Sequence, residues 1–271
     1  MISFPCSKIN LGLNVISKRD DGYHNIETVF FPVHGLTDVL EIVESDKFSF
    51  TQTGINVDST TENNLCVKAY RILEKDCNLP PVAIYLHKVI PPGAGLGGGS
   101  SDAAFTLTVL NKMFELDMSH EQLKFYATVL GSDCAFFIDN VPSKASGRGE
   151  LLEPVKINIS GLYLLIVKPD IHVSTKEAYT NITPRTPDLS VTDIIKLPVE
   201  QWRGKLHNDF EKSIFPLHPA IAEIKEKMYE HGALYSSMSG SGASVFGLFS
   251  ESNTQVTQFK QIYTNYFFLK V

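Results

Sequence analysis

The feature with the clearest chemical potential in this sequence is a glycine-rich segment, residues 93–101, which reads Gly-Ala-Gly-Leu-Gly-Gly-Gly-Ser-Ser. It follows a strand pattern and opens a helix pattern. Glycine lets the backbone turn and approach a ligand closely, and the unpaired amides of a helix N-terminus attract anions. A tight structural turn is the alternative, but five glycines within seven residues exceed what a turn requires. The segment therefore predicts a phosphate-binding loop.

Two better-known phosphate motifs fit this segment poorly. The spacing Gly93-x-Gly95-x-x-Gly98 matches the dinucleotide fingerprint, with acidic residues about 20 positions further on. The preceding Pro91-Pro92 and the antiparallel-looking strands upstream argue against a dehydrogenase. A Walker A loop nearly fits too, but Gly99 stands where its lysine is required. What remains is a loop that binds phosphate through amides and hydroxyls alone.

A second cluster of small residues, Ser239-Gly240-Ser241-Gly242, separates two strand patterns late in the chain. It is compatible with a plain hairpin connection. Its small side chains would also let the backbone approach a phosphate group, so both interpretations stay open on the sequence alone.

These segments need a framework, and hydrophobic periodicity predicts one of mixed helices and strands. Strand patterns at 3–16, 26–33, 39–43 and 48–51 suggest an antiparallel sheet. Asn63 or Asn64 is suited to cap a helix that ends near Glu74, and Ser119-x-x-Gln122 is a capping-box pattern. The other expected strands lie at 82–89, 162–167, 233–238, 243–249 and 266–271, and the other helices at 101–114, 121–130, after Ser174, at 219–230 and before the last strand. We predict an α+β protein with two domains, residues 1–152 and 153–271.

Composition excludes several classes of protein. The net charge is −6 and the isoelectric point about 5.8, so no basic surface for nucleic acid or membrane is indicated. No apolar run approaches the roughly 18 residues of a membrane span. The four cysteines form no Cys-x-x-Cys pair and the eight histidines have no zinc-site spacing. A strand pattern begins almost at Met1, so we expect a cytoplasmic protein without an import leader.

Three separated segments, 3–15, 90–104 and 238–249, make the sequence similar to the GHMP superfamily of kinases, which carry a Gly-Leu-Gly loop and a late Gly-Ser-Gly turn. Asp21-Gly22-Tyr23-His24, the run 95–101, and Gly131-Ser132-Asp133 resemble the members that phosphorylate a cytidine-diphosphate-linked methylerythritol. The resemblance implies a left-handed βαβ N-terminal domain, a ferredoxin-like C-terminal domain and an active site between them. It also implies transfer of the γ-phosphate of MgATP to the 2-hydroxyl of that substrate, a step of the non-mevalonate isoprenoid pathway.

For catalysis, the resemblance implies that Asp133 is the general base and that Lys8 keeps it ionised and steadies the hydroxyl. On sequence alone, Asp133 is more simply the N-cap of a helix at 134–138, and Lys8 a solvated strand lysine. The ATP-binding positions carried over are Asn64, Leu65, Lys88, Pro91, Gly93, Ala94, Gly95, Leu96, Gly97, Gly98, Gly99, Ser100 and Ser101, with the turn 239–242 near the phosphates. Which side chain holds magnesium is left open.

For the substrate, the resemblance implies that Tyr23 stacks on the cytosine and His24 hydrogen-bonds its edge. Tyr179 matches the opposing aromatic ring and Thr175 a nearby polar contact, although Tyr179 also suits a core position. The remaining carried-over positions are Asn10, a substrate contact, and Phe30, a wall of the same pocket that is nearly as well suited to the core.

Two alternatives to this function stay open. One is another kinase of the superfamily, acting on homoserine, mevalonate or a sugar, which the Asp-Gly-Tyr-His motif disfavours. The other is a non-catalytic relative, which the presence of Lys8, Asp133 and the glycine loop disfavours. As partners we expect only the small-molecule substrate, with the protein a monomer or a weak homodimer.

Overall fold

The computed structural model describes residues 1–56, 60–180, 182–250 and 266–271. The chain forms two compact units, each assembled from separate segments. Unit 1 consists of residues 1–8, 32–92 and 97–141, and unit 2 of residues 9–31, 93–96 and 142–271. The predicted domain boundary at residues 152 and 153 stays a prediction.

The described strands are β1 (Ile2–Ser3), β2 (Cys6–Lys18), β3 (His24–Thr37), β4 (Val39–Glu44), β5 (Ser49–Gly54), β6 (Val82–Lys88), β7 (Ser143–Ser146), β8 (Leu151–Pro154), β9 (Tyr163–Val167), β10 (Tyr235–Met238), β11 (Val245–Phe249) and β12 (Tyr266–Lys270). The described α-helices are α1 (Leu65–Cys77), α2 (Gly98–Met113), α3 (His120–Leu130), α4 (Phe136–Asp139), α5 (Thr175–Ala178), α6 (Val191–Ile194), α7 (Glu211–Leu217) and α8 (Pro219–Glu230). Short 3₁₀ turns lie at Thr61–Asn63 and Val199–Gln201.

Unit 1 contains a four-stranded sheet in the order β1-β4-β6-β5. Strand β4 is antiparallel to β6, whereas β5 is parallel to β6 and reaches it through α1. Asn64 caps α1 by accepting a hydrogen bond from the amide of Cys66 at 2.9 Å. The capping box predicted at the start of α3 is confirmed, since Ser119 and Gln122 satisfy each other's backbone amides.

Unit 2 contains the antiparallel sheet β10-β11-β9-β12. Its buried side chains, among them Leu165, Val167 and Val245, pack with Ile224 and Met228 of α8 in one hydrophobic core. The third sheet, β2-β3-β7-β8, draws most of its residues from the same unit. Burial of these apolar faces is the main stabilising term for such layers.

The mixed α+β fold and most predicted elements are confirmed, including the strand pair around the turn 239–242 and the helix Pro219–Glu230. The single antiparallel sheet expected for the first four strand patterns is wrong. Two of those strands, β2 and β3, belong to the sheet β2-β3-β7-β8, in which β3 pairs with β7. The other two, β4 and β5, flank β6, and β5 is parallel to it. The helix expected before β12 lies outside the described residues. Among those described, no helix has the length and apolar character that a bilayer span requires.

Candidate active site

In unit 1, helix α2 begins inside the glycine segment, and close packing holds its first turn. Gly97 is the N-cap with φ +71°. A Cβ atom there would lie 3.0 Å from Cζ of Phe137 and 3.1 Å from Cγ of Lys8. A Cβ atom on Gly98 would lie only 2.8 Å from Cγ2 of Ile90. The absence of side chains at 97 and 98 is therefore a packing requirement of the fold.

The next residues of the segment are placed differently. Gly99 is exposed, and the nearest atom to an added Cβ would be Cδ1 of Leu65 at 3.8 Å. Ser100 is partly exposed, whereas the hydroxyl of Ser101 is buried and has no hydrogen-bond partner among the described residues. The amides at the start of a helix carry a partial positive charge and suit an anion. Gly99 leaves their approach open.

Lys8 and Asp133 lie together in unit 1, as the resemblance implies. The distance between Lys8 Nζ and Asp133 Oδ2 is 3.4 Å, with the lysine buried and the aspartate side chain 35% exposed. The alternative role of Asp133 as a helix N-cap is wrong, because α4 begins at Phe136 and Ala135 is its N-cap. Asp133 instead lies in the turn after α3, where the amide of Cys134 donates to Gly131. Its carboxylate is free of any capping duty.

The burial of Lys8 has an electrostatic cost. Loss of hydration lowers the pKa of its ammonium group, and the charge of Asp133 partly offsets that effect by raising it. Lys8 is only 3% exposed. A lysine in this setting is rarely a stability device, since an apolar residue would be buried at lower cost. The arrangement suits a lysine that holds a carboxylate and a reacting hydroxyl in place.

A cavity of about 200 Å³ lies beside the first turn of α2 in unit 1. Its lining combines apolar side chains with carboxylate, amide and ammonium groups, contributed by Gln52, Asn63, Asn64, Leu65, Leu86, Lys88, Pro92, Gly99 and Asp102. Three predicted nucleotide-side residues, Asn64, Leu65 and Lys88, thus share one pocket with a glycine of the loop. Pro91, also predicted to contact ATP, immediately precedes the lining residue Pro92 and is partly exposed.

At this cavity Lys88 belongs to a buried charge cluster that the sequence analysis missed. Its Nζ donates to Oδ2 of Asp102 at 2.6 Å and also to Asp38. Burial lowers the pKa of Lys88, but the two carboxylates more than reverse the effect and raise it. The available signal was an aspartate one position after the Gly-Ser run, at a buried position of the helical pattern.

In unit 2, the first half of the glycine segment packs on the late small-residue turn. Gly95 has φ +75°, and a Cβ atom there would lie 1.9 Å from the carbonyl oxygen of Ser239. The Ser239 hydroxyl donates to the Gly95 carbonyl at 2.9 Å, and the amide of Asn10 donates to that hydroxyl at 3.2 Å. A Cβ on Gly240 would lie 3.2 Å from Oδ1 of Asn10. The turn is therefore both a hairpin connection and a close backbone approach.

Two side chains that sequence analysis did not single out hold this arrangement. Nδ2 of Asn208 donates to the carbonyls of Met238 and Gly240, both at 2.8 Å. Thr28 accepts a hydrogen bond at 3.0 Å from Nδ2 of Asn10. The buried amide of Asn10 thus belongs to the framework of the turn. The remaining residues of the turn are Ser241, partly exposed, and Gly242, at φ +92°.

Of the predicted cytosine contacts, two are in direct contact in unit 2. The rings of His24 and Tyr179 stack with centroids 4.8 Å apart and planes 19° apart. Tyr179 also meets the edge of Phe210 at 4.7 Å. Tyr23 is 58% exposed, and the guanidinium of Arg148 lies 5.1 Å from its ring centroid. The exposed Tyr23 ring suits a flat ligand, and the His24–Tyr179 stack supplies aromatic surface.

The other two predicted substrate contacts differ in accessibility. Phe30 is only 2% exposed and belongs to the core. Thr175 is exposed at the first position of α5, one residue after the capping Ser174. Gly93 of the loop lies near this region, because a Cβ there would lie 3.5 Å from the ring of His172.

No group of three or more metal-ligating side chains occurs among the residues that the structure describes. A magnesium ion that serves phosphoryl transfer is commonly held by substrate phosphates and water with only one or two carboxylates.

Comparison with protein families gives two matches. The description of the first is "GHMP kinases N terminal domain", over residues 64–147, and of the second "GHMP kinases C terminal", over residues 197–266. A protein of Bacteroides thetaiotaomicron named 4-diphosphocytidyl-2-C-methyl-D-erythritol kinase is 54% identical over 258 residues, which are 94% of each chain.

Solved structures are similar over nearly the whole chain. A 4-(cytidine 5'-diphospho)-2C-methyl-D-erythritol kinase superimposes with a TM-score of 0.82 at 30% identity, over 99% of this chain and 98% of the other. A homoserine kinase from Cytophaga hutchinsonii gives a TM-score of 0.68 at 20% identity, over 98% and 94% of the two chains. The second likeness is one of fold alone.

Proposed function

The chain belongs to the GHMP kinases, in the family of 4-diphosphocytidyl-2-C-methyl-D-erythritol kinases, and on that premise we propose that it phosphorylates the 2-hydroxyl of 4-diphosphocytidyl-2-C-methyl-D-erythritol with MgATP. The observation that carries the proposal is the pair formed by buried Lys8 and partly exposed Asp133. A carboxylate without a capping role, beside a buried ammonium group, is suited to proton abstraction.

In the proposed reaction, Asp133 accepts the proton of the substrate 2-hydroxyl while the oxygen of that hydroxyl forms a bond to the γ-phosphorus of ATP. The bond from that phosphorus to the β,γ-bridging oxygen breaks, and ADP leaves with the electron pair. The ammonium of Lys8 offsets negative charge on the attacking oxygen and holds the side chain of Asp133 in place beside it. Phosphoryl transfer needs positioning and charge stabilisation more than covalent help from the protein.

For the nucleotide, we assign the cavity beside α2 to the base and ribose of ATP. Asn64, Leu65 and Lys88 line it together with Gly99, at the start of the helix whose amides would face the phosphates. The metal enters as part of MgATP, where it neutralises phosphate charge.

For the substrate, we assign the cytosine to the aromatic residues of unit 2. Tyr23 offers an exposed ring, and Tyr179 and His24 are in contact with each other. Stacking on such rings is worth ~1–3 kcal/mol per base in nucleic-acid platforms, and the imidazole edge can read the amino group of cytosine. Thr175, which is exposed, remains a proposed contact. Asn10 and Phe30 are buried, so we propose that they support the substrate site from within β2 and β3.

The biological setting is part of the same proposal. We place the reaction in the non-mevalonate isoprenoid pathway, in the cytoplasm, and expect a monomer or a weak homodimer. The names of the relatives support the substrate, and the acidic composition is compatible with an enzyme that binds neither nucleic acid nor membrane.

The decisive experiment measures phosphorylation of 4-diphosphocytidyl-2-C-methyl-D-erythritol by wild type and by Asp133→Asn. We expect the substitution to lower kcat by ~10²–10⁴-fold while ATP still binds, because only the base is removed. Asp139→Asn is the matched control, since Asp139 is a carboxylate in the same unit that pairs with Lys124 and His120. Turnover of Asp133→Asn within about threefold of wild type would contradict the role of Asp133.

The same assay tests the substrate. Wild-type enzyme that ignores the cytidine compound but phosphorylates homoserine or mevalonate would overturn the proposed substrate and leave the glycine-loop assignment intact. Absence of ATP consumption with every alcohol tested would overturn both.

A further inference from the structure

The charge cluster of Lys88, Asp38 and Asp102 lies directly behind the start of α2. The Nζ atom of Lys88 is 3.3 Å from the position that a Cβ of Gly98 would occupy. Asp102 lies four residues further along the same helix, and both Lys88 and Asp102 line the cavity beside Gly99. All three charged side chains are at most 4% exposed.

One ammonium group faces two carboxyl groups in this buried cluster. If both carboxyl groups were ionised, the cluster would carry one uncompensated negative charge away from water, which is strongly unfavourable. Two carboxyl groups that share one site resolve this conflict when one of them retains its proton.

Hydrogen bonding decides which carboxyl group holds the proton. Asp38 Oδ1 accepts from the amides of Val89 at 2.6 Å and Ile90 at 2.8 Å, and its Oδ2 accepts from Lys88. Asp38 thus accepts three hydrogen bonds. Asp102 accepts from Lys88 through Oδ2, while its buried Oδ1 accepts no hydrogen bond from the described residues. The proton therefore belongs on Asp102.

We propose that Asp102 is a charge-setting residue for triphosphate binding: its retained proton keeps the cluster behind the first turn of α2 neutral, and loss of that proton weakens the binding of ATP. The inference rests on the proposed function in one respect, namely that the first turn of α2 faces the phosphates. A negative charge at a helix N-terminus competes with a bound anion for the same dipole and the same amides.

The groups that face Asp102 support this assignment. They are Lys88 from β6, Asp38 from the segment between β3 and β4, and the thiol of Cys66 from α1. Burial raises the pKa of Asp102 to about 8, with Asp38 adding to the increase and Lys88 opposing it. Burial and the charge of Asp102 raise the pKa of Cys66, so this thiol stays neutral.

The test compares the binding of a non-hydrolysable ATP analogue with Mg²⁺ to wild type, Asp102→Asn and Asp139→Asn by calorimetry between about pH 7 and about pH 9.5, a window that brackets the ionisation. For wild type and Asp139→Asn we expect the affinity to fall ~3–10-fold across the window, the effect of one added charge near the site. The neutral amide of Asp102→Asn retains the shape of the proton-bearing carboxyl. For this variant we expect an affinity near the wild-type value at about pH 7 and no fall in affinity as the pH rises. If the affinity for the analogue fell because Lys8, whose pKa is lowered, lost its proton, the fall would persist in Asp102→Asn.

A second measurement on the wild type alone does not depend on the folding of a variant. Above the ionisation, binding of the analogue should take up a proton, seen as a dependence of the binding heat on the ionisation enthalpy of the buffer. A pH profile that is the same in wild type and Asp102→Asn, or binding without proton uptake, overturns the role of Asp102 while the proposed function stands. Absence of analogue binding at every pH overturns both.

Discussion

At the scale of single residues, two lysines are buried among the described residues, and their settings contrast. Lys8 pairs with Asp133, whose side chain is 35% exposed, whereas Lys88 lies between two carboxyl groups that are at most 4% exposed. Removal of Lys8 leaves a carboxylate that water can hydrate. Removal of Lys88 leaves two carboxyl groups in a site where ionisation is costly.

We therefore expect Lys8→Met to leave the free energy of unfolding at neutral pH unchanged or raised by up to ~2 kcal/mol, while phosphorylation of the substrate is lost. The sign follows from the lowered pKa of Lys8. A lowered pKa means that the native state binds its proton more weakly than the unfolded chain, so the buried charge costs stability below that pKa. The gain from methionine should accordingly shrink as the pH rises toward the ordinary pKa of lysine.

Lys88→Met is the matched comparison, with the same change of side chain at a second buried position. We expect it to lower the free energy of unfolding by ~3–5 kcal/mol, because breaking a buried ion pair leaves uncompensated charge. Urea denaturation of both variants measures the difference. Equal stability losses for the two would contradict the catalytic interpretation of Lys8, since they would show that Lys8 contributes to stability as Lys88 does.

The residue scale also shows where sequence reasoning ends. Asp133 is predictable because its motif resembles that of a known family, although an isolated Gly-Ser-Asp favours a helix cap. Asp38 and Asp102 carried no such motif. Their role depends on a lysine 50 positions from one and 14 from the other, and the sequence pattern does not show which distant charges meet in a core.

At the scale of elements, the first turn of α2 places adjacent glycines in opposite surroundings. A Cβ at Gly98 meets Ile90 at 2.8 Å, whereas a Cβ at Gly99 has only Leu65 at 3.8 Å. Gly98 is required by the packing of the helix on β6 and the residues after it. Packing does not require a glycine at position 99. Under the proposed function, the missing side chain at this position keeps the cavity and the helix amides open to the nucleotide.

We expect Gly98→Ala to lower the stability of the protein by ~1–3 kcal/mol through overpacking, and Gly99→Ala to leave it unchanged or raise it by ~0.5–1 kcal/mol. Gly99→Val should still fold but bind ATP at least ~10-fold more weakly, because a branched side chain obstructs close approach to the helix amides. Thermal unfolding and calorimetry with ATP and cytidine diphosphate measure these effects separately. Equal losses of both ligands in Gly99→Val would point to a purely structural role of the segment.

Element boundaries were predictable where local chemistry sets them. Asn64 and Ser119 cap their helices as expected, and α8 begins at Pro219, the first helical position that proline favours. Strand pairing was not predictable in the same way. Strand β5 pairs in parallel with β6, although α1 separates the two in sequence. Strand β3 pairs with β7, which lies more than 100 residues later in the chain. Periodicity identifies the buried face of a strand but not its partner.

At the scale of the whole molecule, each unit draws on three separated segments of the chain. The glycine segment contributes residues 93–96 to unit 2 and residues 97–101 to unit 1. The proposed ligand contacts divide accordingly. Those for ATP in the cavity belong to unit 1, whereas Tyr23, His24, Thr175 and Tyr179 belong to unit 2.

This division predicts separate footprints in hydrogen exchange. Addition of a non-hydrolysable ATP analogue should slow exchange of the amides at 64–66 and 97–101, since these amides surround the cavity and the helix start. Addition of cytidine diphosphate alone should slow exchange at 23–26 and 175–180, around the aromatic rings. Exchange measures local opening, so a ligand that stabilises one cooperative region protects that region most. Helices α3 and α8 are internal references for the two units, since neither contains a proposed contact. Protection of 23–26 by the ATP analogue, with none at 97–101, would contradict the assignment of the glycine segment to the triphosphate.

Protection by uridine diphosphate equal to that by cytidine diphosphate would contradict the assignment of His24 to the edge of the cytosine.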